Sequence, residues 1–593
     1  MTDTTTTTTS DATVATRPWL DTELPVEERV QLLLDEMTIE EKAGLLFHTM
    51  IAIGDLDEPN PVFGTPSARE FIDIKQMTHF NLLGAAPTGR EIAAWQNALQ
   101  ELAASTRLGI PVTLSTDPRH SFSENPGASI LAGPFSQWPE TLGLAATRDE
   151  ALVERFADIA RQEYTAVGLR VALHPQVDLA TEPRWARQTA TFGEDAELSG
   201  ALGAAYIRGF QGASFGPGSV ATMTKHFPGG GPQKDGEDPH FPYGREQVYP
   251  GGRFELHLKP FEDALAAGTR QMMPYYGMPV GTEYEEVGFG FNKSVITGLL
   301  RERYGFDGVV CTDWGLINDA EIFGQPFPAR AWGVEELSPR ERMKKVLDAG
   351  ADQFGGEDCP ELLLELIADG EVSEERLDVS ARRLLREKFE LGLFENAFVD
   401  EDAADEIVGN AAFRAAGEEA QRASITVLAN SGALPFARGL KLYVEGIDAA
   451  VAAAYGEVVA TPAEADLAVI RLQAPFEERA TMFENFFHAG SLDFDAEIVA
   501  HVQAVAAAVP TVVDVLADRP PILTQLVDAA AAVTVNWGAS GAALLDVLSG
   551  AAPAQGRLPF DLPRSMAAIE ASAPDVPFDT ADPLFRFGHG LSL

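Results

Sequence analysis

Three short segments carry side chains of a type and spacing suited to chemistry. Gly305-Phe306-Asp307-Gly308-Val309-Val310-Cys311-Thr312-Asp313-Trp314 sets a carboxylate directly after an apolar run and beside an indole. A carboxylate at the end of a buried strand can attack an anomeric carbon, because the transition state there is an oxocarbenium-like cation. Trp314 would offer that sugar an apolar face. The same pattern also fits an Asp that caps the next helix. Lys225-His226-Phe227-Pro228-Gly229-Gly230-Gly231, followed by Asp235, Asp238 and His240, combines two donors with a flexible turn. Its glycines permit positive φ and close approach to a ligand. It reads either as a grip on sugar hydroxyls or as a turn with two capping cations. Pro183-Arg184-Trp185-Ala186-Arg187 places two guanidiniums around an indole. That suits hydroxyl recognition or a structural stack.

These segments need a scaffold that presents them together. Short apolar runs alternate with helical stretches through the first two thirds of the chain. Val112–Thr116 ends at Asp117, and Val171–Leu173 ends at His174 with Asp178 soon after. Val220–Met223 ends at Lys225 and His226, Met272–Met273 at Tyr275, and Gly308–Cys311 at Asp313. A further run around Ala351 ends near Glu357. Helical patterns over 149–168 and 253–267 fall between them, and Thr38 with Glu41 forms a capping box after an amphipathic stretch from Val26. Such alternation implies a parallel sheet. The ionisable residues sit where the strands end, as in a (β/α)8 barrel, although open parallel sheets also bind at that edge. The number of units favours the barrel.

The expected organisation is a disordered Thr-rich tail over 1–20, a barrel over 21–394, an acidic linker over 395–420, and a second domain over 421–593. Strand patterns at 424–428, 440–444, 467–472, 511–515 and 533–535 give that domain an α/β/α sandwich. The fold class is therefore α/β, a TIM-type barrel followed by a sandwich.

Composition excludes several functions. The 593 residues hold 44 Lys and Arg against 89 Asp and Glu, a formal net charge of −45. Nucleic acid and anionic membrane surfaces are disfavoured as partners. The two cysteines, Cys311 and Cys359, cannot build a disulfide framework or a four-cysteine metal site. Phosphate-loop, dinucleotide, nucleophile-elbow and zinc-hydrolase motifs are all missing, so no cofactor and no metal is expected. The first residues lack a basic segment followed by an apolar one, and a cytoplasmic location is the expectation.

Five motifs in order resemble glycoside hydrolase family 3, the β-glucosidase and exo-β-glucanase family. They are Thr116-Asp117-Pro118-Arg119-His120, Pro183–Arg187 with Phe192-Gly193-Glu194-Asp195, Lys225–Gly231, Gly305–Trp314, and Pro583–Leu591. The resemblance implies a retaining mechanism, with Asp313 as nucleophile. It implies that Asp117, Arg187, Lys225, His226 and Tyr275 bind the sugar, with Tyr276 adjacent to the last of these and Trp314 following the nucleophile. The acid/base it implies is a Glu on a second-domain loop. Glu477 in Gln473-Ala474-Pro475-Phe476-Glu477-Glu478-Arg479 is the best match, with Glu478 and Glu484 in competition. Another branch of the family cleaves β-N-acetylglucosaminides with an Asp–His pair, for which Asp238 and His240 would stand. The implied activity is release of terminal β-D-glucose from a small-molecule or oligosaccharide β-glycoside. β-Xylosidase and β-galactosidase specificities stay open, as does a homodimer.

Overall fold

The computed structural model describes residues 17–118, 120–123, 129–322 and 324–593. The tail expected over 1–20 lies outside them up to residue 16, as does Arg119. The order begins earlier than expected: Pro18–Leu20 form a tight turn with Trp19 buried, and Arg29 Nε donates to the Trp19 carbonyl at 2.7 Å.

Eight parallel strands build the first domain: β1 (Phe47–Ala52), β2 (His79–Leu83), β3 (Thr113–Thr116), β4 (Leu169–Ala172), β5 (Ala221–Phe227), β6 (Gln271–Pro274), β7 (Val309–Val310) and β8 (Phe354–Gly355). Each pairs with its sequence neighbour from β1 to β7, and β8 pairs with β1. A parallel bridge between Cys311 and Gln353 joins β7 to β8 and closes the ring. Helices such as Gly89–Ala104, Glu150–Ala166, Ala196–Gln211, Phe254–Ala266 and Pro339–Ala349 form the outer layer. This is the expected barrel. The capping box at Thr38 is present and starts the helix Ile39–Leu45.

β1 and β2 carry no clear signal in the sequence. Only Leu46 separates the helix Ile39–Leu45 from β1, so the apolar run across both reads as one helix. β5 is longer than the apolar run that announced it. It continues through Lys225 and His226, which therefore lie in the strand and not after it.

The connection over 395–420 is helical. Glu401–Ile407 and Ala411–Ser424 are helices capped by Asp400 and Asn410. Asn97 Nδ2 and Gln96 Nε2 donate to the carbonyls of Val399 and Ala397, which fastens this connection to the barrel. Its acidic surface reflects one solvated face of docked helices.

The second domain holds a six-stranded sheet. Its strands are β9 (Thr426–Asn430), β10 (Lys441–Glu445), β11 (Glu457–Val458), β12 (Leu467–Gln473), β13 (Thr511–Leu516) and β14 (Ala532–Asn536), in the order β9-β14-β13-β12-β10-β11. Only β9 runs antiparallel to its neighbour. Side chains alternate between its faces, as a strand requires. Ile470, Val513 and Val533 pack with Val502 and Val505 of the helix Ala496–Ala508. Val469, Val512 and Ala532 pack on the other side with Leu544 and Leu548 of the helix Gly541–Leu548. Burial on both faces makes the expected sandwich.

Two of the sequence motifs prove to be stitching. Glu194 accepts hydrogen bonds from the backbone of Asp561 and of Phe578, tying the barrel to the second domain. Leu591 bridges Val427 at the edge of the second sheet. No helix among the described residues is long and apolar enough to cross a membrane.

Candidate active site

The site sits at the C-terminal ends of the barrel strands. Side-chain parity explains its floor. Ala221, Met223 and Lys225 share one face of β5, and Ala221 and Met223 join Val171, Leu173, Met273 and Cys311 in one apolar cluster. Lys225 therefore projects above an apolar plug, and Asp313 stands two residues beyond Cys311.

Alternation would send His226 to the opposite face from Lys225. The register of β5 against β6 shifts between Lys225 and Phe227, leaving His226 as the extra residue of a bulge. A bulge re-aims one side chain without ending the strand. Both neighbours thus enter the site. Lys225 Nζ donates to Asp117 Oδ1 at 2.7 Å, and His174 Nδ1 lies 2.8 Å from the same oxygen.

His226 is held from behind. Its Nδ1 is 2.7 Å from Asp178 Oδ2, while Asp178 Oδ1 accepts from the backbone N–H of His226 and of Gly230. Burial pushes Asp178 up to about 6, opposed by those two N–H groups and by the cations Arg187 and Lys225. Burial, with Arg187 and Lys225 nearby, holds His226 well below the ordinary histidine range, so the ring is neutral. Above pH about 6 Asp178 is an acceptor, which fixes the proton on Nδ1 and leaves Nε2 a bare acceptor. His226 Nε2 can therefore accept a hydrogen bond.

The glycine turn serves packing. A Cβ on Gly230 would collide with the Tyr275 ring, and one on Gly231 with the Leu179 carbonyl. The close approach is to the protein's own wall.

Asp313 Oδ1 accepts from the backbone N–H of Trp314 at 2.8 Å. Its Oδ2 is buried, faces the Tyr276 hydroxyl and lies 3.7 Å from His226 Nε2. Arg187 stands among Tyr275, Asp238, Asp313 and Asp117; burial opposes its charge, but these neighbours more than offset that and keep it protonated. Trp185, by contrast, is fully buried and donates to Asp238, and Arg184 pairs with Glu182. The Pro183–Arg187 motif therefore divides into structural residues and one site guanidinium.

Tyr275 and Tyr276 have different places. The Tyr275 ring lies 4.6 Å from His226, and its hydroxyl reaches Asp238 at 3.4 Å. The Tyr276 hydroxyl donates to the Trp314 carbonyl at 2.8 Å and faces Asp313. Burial pushes both phenols up, so both remain protonated.

Trp314 lies across Gly355 and Gly356, where any Cβ would strike the indole. Its Nε1–H donates to Met50 Sδ at 3.3 Å, and Asn81 donates to the same sulfur at 3.2 Å. Arg330 donates to the Trp314 carbonyl from behind. Met50 and Arg330 have no signature in the sequence, since both act through the placement of Trp314.

The structure therefore brings together Asp117, Arg187, Lys225, His226, Tyr275, Asp313 and Trp314. Glu477 is placed differently. It is exposed, its carboxyl packs against Gly490, and the guanidiniums of Arg479 and Arg519 face it. Glu484 is occupied by the Tyr243 hydroxyl and by Thr481. Asp238 and His240 do form a pair, with His240 Nδ1 2.6 Å from Asp238 Oδ1. The His240 ring is 4.6 Å from that of Tyr276. Burial draws His240 below its ordinary range against the pull of Asp238. No group of three or more His, Cys, Asp or Glu among the described residues is arranged to hold a metal ion.

The whole chain is similar to known proteins. A β-glucosidase from Listeria innocua superposes with a TM-score of 0.77 at 22% identity, over 95% of this chain and 83% of that one. A probable β-glucosidase C from Aspergillus flavus is 53% identical over 96% of this chain and 90% of its own length. A periplasmic β-glucosidase/β-xylosidase from Dickeya chrysanthemi is 42% identical over 97% and 91%. Models of the glycosyl hydrolase family 3 N-terminal domain and C-terminal domain match residues 76–387 and 407–593. With both domain models matched in order and an identity this high across nearly the full length, the chain belongs to glycosyl hydrolase family 3 and is a glycoside hydrolase.

Proposed function

We propose that the chain is an exo-acting, retaining β-glucosidase in which Asp313 is the nucleophile. The observation that carries this is the position of the buried Asp313 carboxyl, 3.7 Å from His226 and beside Asp117, Arg187 and Lys225. The names of the relatives support glucose as the sugar. Asp313 Oδ2 attacks C1 of the terminal sugar and the glycosidic bond to the leaving oxygen breaks. A general acid gives that oxygen its proton. Water then attacks C1 of the glycosyl-Asp313 ester, assisted by the same group as base, and glucose leaves with its configuration retained. Asp117 and Lys225 bind hydroxyls as acceptor and donor, while Arg187 steadies the carboxylates.

We assign the acid/base role to Glu477. A second reading gives it to His240, because the Asp238–His240 pair is formed and lies one ring away from Tyr276. The lowered pKa of His240 weighs against it at neutral pH, where an uncharged imidazole with Nδ1–H on Asp238 has no proton on Nε2 to give.

The test is an aryl-glycoside panel containing β-glucoside, β-xyloside, β-galactoside and β-N-acetylglucosaminide, run on wild type, Glu477→Ala and His240→Ala. A dominant glucoside rate, with azide restoring Glu477→Ala on good leaving groups, supports the assignment. Wild-type behaviour of Glu477→Ala on poor leaving groups moves the role elsewhere. A dominant N-acetylglucosaminide rate moves it to His240 and replaces glucose.

A further inference from the structure

We propose that Arg519 is a positioning residue that fastens the loop carrying Glu477 to the barrel and so sets where the acid/base stands. This deepens the glucosidase reading and rests on its assignment of that role to Glu477.

Arg519 is fully buried, which an arginine almost never is without partners. It follows the end of β13 by three residues. β12 and β13 are parallel neighbours, so their C-terminal ends lie side by side. The loop that holds Glu477 leaves from the end of β12 at Gln473. Arg519 therefore meets this loop at its root.

Its N–H groups serve carbonyls from three separate segments. Nη2 donates to the Pro475 carbonyl at 2.6 Å. Nη1 donates to the Gly490 carbonyl at 3.1 Å and to the Arg184 carbonyl at 3.0 Å. Pro475 lies on the outgoing arm of the loop and Gly490 on the returning arm. The backbone N–H of Glu477 donates to the Ala489 carbonyl at 2.9 Å, so the two arms already meet at this level. Arg184 belongs to the barrel, in the segment that ends with Arg187 of the pocket. One guanidinium thus closes the neck of the Glu477 loop and ties it to the backbone that carries Arg187.

The tie acts on Glu477 at short range. Gly490 has a φ of +80°, and a Cβ there would collide with the Glu477 carboxyl. The residue whose carbonyl Arg519 holds is therefore the wall on which Glu477 packs. The Arg519 charge also faces the carboxylates of Asp518, Glu477 and Glu182. Arg479, on the same loop, adds a second tie between the domains by pairing with Glu237 at 2.9 Å.

The residue type matters. Three carbonyls around one buried point need a planar fork with donors in fixed directions, and a lysine offers a single nitrogen. A role in folding alone would lower the rate on every substrate together. A role in placing an acid lowers the rate where the leaving group needs a proton and spares it where the leaving group does not.

Steady-state kinetics of the full chain on phenyl and dinitrophenyl β-D-glucoside separates the two, because both carry an aryl ring but only the phenolate needs protonation. In Arg519→Lys, kcat/KM on the phenyl substrate falls by roughly 30- to 100-fold and on the dinitrophenyl substrate by about threefold or less. Arg519→Met shows at least the same split, and if a thermal melt finds it unfolded the Lys variant carries the test. In a Glu477→Ala background, Arg519→Lys lowers the phenyl rate by no more than about twofold further, since the group it places is gone. Equal losses on both substrates, no loss on either, or a full further loss in the Glu477→Ala background overturn the positioning role. Glu477→Ala that loses phenyl activity while Arg519→Lys keeps it overturns that role alone. Glu477→Ala with wild-type activity on the phenyl substrate overturns the Glu477 assignment itself, and the proposal with it.

Discussion

Asp313 Oδ2 and His226 Nε2 stand 3.7 Å apart at the barrel mouth, both buried. Above pH about 6 His226 Nε2 is an acceptor, because Asp178 keeps the His226 proton on Nδ1, and it faces a carboxyl oxygen. Two facing acceptors repel, and a buried acceptor left unmet costs about 1–3 kcal/mol. A hydroxyl has one proton to donate, so it can relieve His226 Nε2 while Asp313 Oδ2 faces the reacting carbon. The pair therefore offers two buried oxygen and nitrogen acceptors side by side at the barrel mouth.

Asp313→Asn tests the centre directly. The amide is a poor nucleophile, so kcat/KM should fall by on the order of 10⁴-fold or more while the melting temperature stays near that of wild type. Steady-state kinetics with a thermal melt checks both halves. Residual activity within about tenfold of wild type would show that another group attacks.

Asp178 gives a pH prediction. Its carboxyl is raised to about 6 by burial, so it takes up a proton as pH falls through that value. The Nδ1 proton of His226 is then no longer fixed, and Nε2 ceases to be a dedicated acceptor. KM should therefore rise as pH drops below about 6. Asp178→Asn does not titrate, so it should flatten the KM profile and hold KM high by about tenfold, for one lost charge-assisted hydrogen bond. A wild-type KM that stays level between about pH 5 and 8 would remove Asp178 from control of the site.

Asp117 and Lys225 form a buried pair, so their variants should not add. Asp117→Ala leaves the Lys225 ammonium buried without its carboxylate, at a cost of about 3–5 kcal/mol in stability. Adding Lys225→Met removes that charge and should recover part of the loss. Denaturant unfolding of the two single variants and the double variant gives the coupling. Simple additivity would mean that the pair is decoupled in solution.

Glu194 makes a prediction about stability. Burial pushes its carboxyl from 4.5 to about 8. Between those values the folded state keeps a proton that the unfolded chain has lost. This group's contribution to stability therefore declines as pH rises from 4.5 to about 8, and levels off beyond. Glu194→Gln cannot ionise, so its melting temperature should fall less steeply than that of wild type across the window. Parallel curves would place the titration elsewhere.

The sequence by itself determined the fold class and most of the pocket. Apolar runs that end in Asp117, His174, Tyr275 and Asp313 are local features, and burial of a parallel strand on both faces writes them plainly. The alternation of Ile470 with Val469, and of Val513 with Val512, likewise follows from strand geometry alone. Tertiary structure decided the rest, because it turns on contacts between residues far apart in the chain. Parity along β5 would have separated Lys225 from His226, and only the bulge against β6 puts both in the pocket. Asp178 matters because folding brings it against His226, 48 residues on. The segment over 395–420 reads as a linker until its backbone meets Asn97 and Gln96 of the barrel. The orientation of Glu477, and the meeting of Tyr243 with Glu484 across 241 positions, depend on how the second domain sits on the first. No local pattern encodes a distance between loops that belong to different domains.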